Sequence, residues 1–460
     1  MPATPVRPAP ARPKHPNRPA PDQGRHPRSL IVLVAGLACA SLGHAAAFKL
    51  KEQSAAGQGR AYAGSISEGG DASVIANNPA AMTLLDGRLF QADAAVVNYS
   101  AKFEGSGRDA LGRPLSGGNG GDAGQTAVVP SLYFHTPVTD RLRLGVSVTA
   151  PFGFKTEYDD GWVGRYQGVE TSLKVIDVGI SAAYQVNDVL SLGASVFAER
   201  LDVKLRNTVD FGAQLAASRV PGFLPTSADG TLDVDGDNTE LGYTLGALLR
   251  PVDGTTIGLA YRGEVKHKAR RADVRFTIPA AANAVLSVAA PNTFVNTTAS
   301  TELTMPASWT LSISQRLSDR WTVMADYSRT SWRKFDSVVL DFASNLPDQT
   351  LHFGYKDSSF YSVGADYRMN DAWTLRGGFA YDQTPVPDAL RDVRVPDVSR
   401  RWLSLGATWR TSKQLAYSVG YTHLFIKDTS VNLSSPSAST LQGSYKVGSD
   451  ILAVSAQYSF

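Results

Sequence analysis

The sequence predicts an all-β protein: a closed antiparallel transmembrane barrel of about fourteen strands with an N-terminal hatch. Three observations carry that reading. Period-two runs recur from Arg88 to the last residue, as in strands whose two faces meet different surroundings. Tight turns alternate with long loops between these runs, the asymmetry of membrane barrels. No stretch after residue 45 approaches the roughly 18 apolar residues of a spanning helix. Mean hydropathy is only −0.14, as expected when lipid-facing and lumen-facing residues alternate. The 460 residues exceed an ordinary soluble domain, but a barrel's circumference grows with strand number.

The last strand shows the pattern clearly. Leu452, Val454, Ala456, Tyr458 and Phe460 share one face, and Ser455, Gln457 and Ser459 the other. Ile176, Val178, Ile180, Ala182 and Tyr184 alternate with Asp177, Gly179 and Ser181. Trp373, Leu375, Phe379 and Tyr381 alternate with Thr374, Arg376 and Asp382. Leu403, Leu405, Ala407 and Trp409 alternate with Ser404, Gly406 and Thr408. Aromatics gather near strand ends, as interfacial girdles do. Tight turns are expected at Thr139-Asp140, Asn187-Asp188, Asp253-Gly254, Ser318-Asp319, Asn370-Asp371 and Thr411-Ser412, residue types that hairpins require. Long loops are expected at roughly 105–123, 210–238, 277–300, 336–355, 383–399 and 429–443. A terminal Phe is how bacterial outer-membrane barrels usually finish, so Phe460 is the expected handle for the barrel assembly machinery.

Residues 1–45 read as a leader and signal peptide. An apolar run, residues 30–42, follows Arg25 and Arg28, and Ala45, Ala46 and Ala47 supply small residues for cleavage. The leader carries six basic residues and one acidic one. Taking these from the 45 basic and 42 acidic residues leaves 39 against 41, a net of −2. The basic surplus belongs to the leader, which leaves nucleic-acid binding without electrostatic support. The one cysteine, Cys39, lies in the apolar run, so cleavage near residue 45 leaves no disulfide and no Cys-based metal site.

Residues 46–86 do not alternate. They are rich in Gly, Ala and Ser, yet 71–82 is not low-complexity. Their size suits a hatch inside a wide barrel, with residues 87–460 forming the barrel wall. Along the strand from Leu190, the outward set is Leu190, Leu192, Ala194 and Val196. Keeping that phase, Phe197, Leu201, Val203 and Leu205 point inward, making an apolar lumen where a water-filled porin has polar groups. At Pro151-Phe152-Gly153 a strand is expected to kink, because Pro removes a ladder donor and Gly invites a bend.

Several segments together resemble FadL-type long-chain fatty acid channels. They are residues 47–64 with Asn78-Pro79-Ala80; residues 150–158 with 162–166; Leu303 to Pro306 with Thr330-Ser331-Trp332; residues 381–387; and Val395-Pro396-Asp397 with Arg401-Trp402. Their order and spacing, rather than any one motif, carry the resemblance. It implies a monomeric outer-membrane barrel with a hatch, multi-pass among outer-membrane lipid and lipopolysaccharide. A hydrophobic ligand would enter from outside, occupy an apolar pocket and leave sideways through a gap made by a kinked strand.

The resemblance also places site residues. Phe48 matches an N-terminal Phe that reaches into the pocket. Lys204 and Arg206 are the cations nearest the family's headgroup-binding arginine. Leu351 stands where the family has a partner lysine, with His352 beside it. Asn78, Pro79 and Ala80 match the hatch, and Asp382, on an inward phase, is expected to hold it by hydrogen bonds. The function implied is passive uptake of long-chain fatty acids. A channel for aromatic or other neutral hydrocarbons shares the architecture, and Leu351 keeps that reading open. A general porin and an outer-membrane enzyme are the readings from other classes. No catalytic arrangement is present: there is no Gly-x-Ser-x-Gly elbow, and His44, His135 and His423 flank no paired acid or nucleophile. No cofactor or metal is expected.

Overall fold

The structure, a computed structural model, describes residues 47–435 and 439–460; the leader expected at 1–45 lies outside the described residues. Fourteen antiparallel strands close into one barrel. In chain order they are β1 (Leu89–Arg108), β2 (Thr126–Pro137), β3 (Leu142–Glu157), β4 (Glu170–Gln185), β5 (Leu190–Asp210) and β6 (Asp229–Val252). β7 comes in two pieces, Thr255–Arg262 and Val265–Thr277, and so does β8, Thr297–Met305 and Ser308–Arg316. β9 (Trp321–Thr330), β10 (Ser358–Arg368), β11 (Trp373–Asp382), β12 (Arg400–Arg410), β13 (Leu415–Ile426) and β14 (Thr440–Ser459) complete the circuit. β1 closes it by pairing β2 on one side and β14 on the other.

All six expected tight turns join strands at one end, as at Asn187, whose side chain accepts from the N–H groups of Val189 and Leu190 at 2.9 and 2.8 Å. Long connections occupy the other end, which faces outward in outer-membrane barrels. One of them, residues 158–169, is a loop that sequence composition did not mark. Another carries a small hairpin, Ser337–Phe342 with Gln349–His352.

Outward positions are apolar and exposed: Val178, Ile180, Val196, Leu245, Val363, Leu405 and Val454 among them. Tyr184, Trp321, Trp373, Trp409 and Tyr458 ring the tight-turn end, and Tyr243, Tyr261, Tyr361 and Tyr381 stand higher, so two aromatic belts bound the apolar band. Inward positions are polar and buried, as with Asp93, Ser181, Ser312, Asp326 and Thr422.

Residues 47–85 are almost wholly buried. They bond to strands on every side: Ala55 to Asp93 on β1, Gln53 to Tyr133 on β2, Ile75 to Ser181 on β4, Asn78 to Ala247 on β6, Ser67 to Ser312 on β8, Gly64 to Asp326 on β9, Arg60 to Asp366 on β10 and Gln58 to Thr422 on β13. Only a segment inside the barrel reaches all of them. The wall admits it through glycine: a Cβ on Gly246 would lie 1.9 Å from Asn78 Oδ1, and one on Gly378 2.2 Å from the Arg60 backbone.

Candidate functional site

β3 is where the wall departs from regularity. Its ladder with β2 ends at Leu132↔Val148, although β2 stays paired to β1 up to Thr126. Above Thr149 the register against β4 shifts: Ala150 and Pro151 together oppose Ile176, and Phe152 resumes opposite Val175. This is a bulge, which bends a strand and raises its twist. The bend sits at Ala150-Pro151, so of the expected kink Pro151-Phe152-Gly153 the Pro lies in the bulge, while Phe152 and Gly153 are back in register opposite Val175 and Lys174. Glu157 N donates to Ala123 O at 3.1 Å, closing the gap at its top. Between these points lies a window in the wall, with residues 126–131 on one edge and 149–156 on the other.

The bent stretch of β3 finds a new partner in the N-terminal segment. Leu50 N donates to Pro151 O at 2.8 Å, and Gly153 N donates to Phe48 O at 2.7 Å. The Phe48 ring is thereby aimed into an aromatic nest, with centroids 4.6 Å from Trp332, 5.0 Å from Phe335 and 5.6 Å from Phe154. Beside it opens an apolar cavity of about 480 Å³, solvent at its mouth included, walled by Phe48, Leu173, Val203, Leu205, Leu351 and Phe353. Phe197 and Leu201 belong to the same buried cluster. β5 pairs with β6 without a register shift over its whole length, which keeps these four side chains on the inward phase.

That phase turns Lys204 and Arg206 outward. Neither lines the cavity. Lys204 pairs with Glu170 at 3.0 Å and Arg206 with Asp233 at 2.7 Å, so both expectations for headgroup binding are corrected. His352 is exposed on the small hairpin, while its neighbour Leu351 lines the cavity. The cation at the cavity is Arg394, which sequence reasoning missed. Its guanidinium holds Asp392 at 2.8 Å, and its buried Nε has no hydrogen-bond partner among the described residues. Arg394 comes from a loop, where neither period nor turn chemistry says which way a side chain points.

Asn78 caps the 3-10 turn Pro79–Leu84, accepting from Ala80 N at 3.2 Å while donating to Ile66 O at 2.9 Å. Asp382 is buried and pairs with Arg400 at 3.3 Å. Asp397 also takes the N-terminal segment: it accepts from Ala47 N at 2.9 Å and from Arg400 at 2.7 Å. Asp326 is a further anchor, accepting from Gly64 N at 2.6 Å and Ser65 Oγ at 2.6 Å. Burial lowers Lys49 well below the ordinary lysine range and pushes Glu52 up to about 7.

Residues 36–460 match the family described as "Outer membrane protein transport protein (OMPP1/FadL/TodX)". The long-chain fatty acid transport protein of Salmonella typhi is 30% identical over 397 residues, covering 84% of this chain and 89% of that protein. Outer membrane protein P1 of Haemophilus influenzae is 30% identical over 431 residues, covering 86% and 89%. The crystal structure of a Pseudomonas aeruginosa FadL homologue superposes with a TM-score of 0.83 at 29% identity, covering 90% of this chain and 99% of that one. The toluene transporter TbuX of Ralstonia pickettii shares the fold, with a TM-score of 0.60 at 22% identity over 85% and 94%. This chain belongs to that outer-membrane transport family; it is a transport protein for hydrophobic compounds and not an enzyme.

Proposed function

We propose that this member of the family is a monomeric passive channel for long-chain fatty acids, gated by residues 46–86 acting as a hatch. The ligand enters at the long-loop end, lodges against Phe48 and leaves sideways between β2 and β3. The observation that carries this reading is the bulge at Ala150-Pro151, which turns β3 off β2 and onto Phe48–Leu50 beside the apolar cavity. Lateral exit keeps an apolar chain out of water and out of the charged headgroup layer. Relatives about 30% identical are named for long-chain fatty acids, whereas the toluene transporters are alike in fold alone. Arg394 at the cavity supplies a guanidinium for a carboxylate. A second reading, neutral hydrocarbons, is favoured by the pairing of that guanidinium with Asp392.

Deleting Pro151 tests the exit. The deletion removes the extra residue, so β3 can run straight against β4 and pair with β2. Fatty acid uptake by intact cells is expected to fall at least tenfold, while heat-modifiable gel migration stays native. Native uptake in a folded deletion variant would move the exit elsewhere.

A further inference from the structure

The wall is interrupted a second time. β6 and β7 pair at Thr244–Leu249 with Ile257–Arg262, and again at Thr231–Asp235 with Asp273–Thr277. Between these blocks, residues 236–242 and 264–272 make no ladder pairs with each other. β5 stays in register with β6 over the same levels, so the departure belongs to β7. β7 breaks at Gly263-Glu264, and against β8 its register shifts between Ala269 and Ala272. A side chain spans the seam instead. Asn238 Nδ2 donates to Lys268 O at 3.3 Å, and Asn238 Oδ1 meets His267 Nδ1 at 2.9 Å.

A strand that bows away from its neighbour makes room behind it. There lies a second apolar cavity of about 540 Å³, solvent at its mouth included, with Leu201, Ala269 and Leu340 in its wall. It shares Val203, Leu205, Leu303 and Val338 with the first cavity. Four shared wall residues set the two side by side along one apolar track, with Phe48 and Arg394 at one end and the β6–β7 seam at the other. A single aromatic ring occupies one compartment of such a track. A long alkyl chain occupies both, and each further methylene buried strengthens binding roughly fourfold.

We propose that the cavity at the β6–β7 seam holds the distal end of a long alkyl chain, so that the site selects its ligands by chain length. The proposal rests on the fatty acid reading above and names what sets its specificity. The test uses the purified full chain in detergent and fatty acids of eight and sixteen carbons. Ala269→Phe fills the second cavity and leaves the first untouched. Binding of the sixteen-carbon acid is expected to weaken about tenfold or more, with the eight-carbon acid within about twofold of native. Leu340→Trp fills the same cavity from the small hairpin, outside the strand circuit, and gives the same result should Ala269→Phe fail to assemble. Unchanged binding at both lengths overturns the proposal, and so does an equal loss at both. Native protein that binds neither acid overturns the fatty acid reading itself, and shows this before any variant is made.

Discussion

Phe48→Ala is the sharpest test of the site. The ring is 1% exposed and packs edge-on against Trp332 and Phe335 at 4.6 and 5.0 Å. It is also part of the cavity wall, so some of its buried surface is surface a ligand would touch. Full burial of a Phe side chain is worth about 1.5–3 kcal/mol. Each 1.4 kcal/mol is a factor of ten in affinity, so truncation is expected to weaken fatty acid binding by about ten- to a hundred-fold. The stability cost should stay local, because the strand ladders hold the barrel without residue 48. Heat-modifiable migration should therefore be native. Phe48→Leu keeps most of the apolar volume and should lie within about threefold of native. The assay is titration of a long-chain fatty acid into detergent-solubilised protein. Native affinity in a folded Phe48→Ala variant would refute the placement of the ligand against this ring.

Four further outcomes are expected. Changing Lys204 and Arg206 to Gln together should leave binding within about twofold, because both face away from the cavity. Arg394→Gln should weaken a carboxylate ligand, more so at low salt, and leave a neutral hydrocarbon unaffected; parallel titrations of the two ligand types separate these. Asp326→Ala removes the acceptor for Gly64 N and Ser65 and should raise ion conductance in planar bilayers above that of the native protein. Glu52 titrates at about 7 against an ordinary 4.5 because burial penalises its charge. Its folded pKa is raised, so its contribution is complete below pH about 4.5 and is lost as pH rises through about 7. Bilayer openings should thus grow more frequent from pH 5 to 8, and Glu52→Gln should flatten that dependence.

The barrel was legible because its signals are local. Asn187 and Asn370 each accept from the N–H groups two and three residues on, a turn chemistry that the two residues alone announce. The inward set Phe197, Leu201, Val203 and Leu205 followed from phase, since no bulge interrupts β5. The same phase excludes Lys204 and Arg206 from the lumen, although the family resemblance points to them as the nearest cations. In a strand one residue of error is a change of face. The loop at 158–169 escaped notice because it is packed like a core: Tyr158 stacks on Trp162 at 3.9 Å, and both are buried. Asp397 and Arg394 were out of reach for a different reason. Asp397 meets Ala47 across 350 residues, and nothing local encodes that meeting.

The break between β2 and β3 and the docking of the N-terminal segment share one physical cause. Turning β3 off β2 strips backbone groups of their partners, and each such group buried and left bare costs about 1–3 kcal/mol. Phe48 O and Leu50 N take up Gly153 N and Pro151 O, so the first residues of the hatch act as a substitute strand. Phe48 stands in the cavity because its backbone is needed at the bend. On the proposed route, ligand pocket, hatch and window edge are thus one mechanical piece. Withdrawing Phe48 and Leu50 from β3 breaks two hydrogen bonds to that strand, a cost of about 2–6 kcal/mol. A buried methylene contributes about 0.8 kcal/mol, so roughly three to eight methylenes offset that cost. On the proposed route a long chain carries enough apolar surface to displace Phe48 and open the way sideways, and a short one does not.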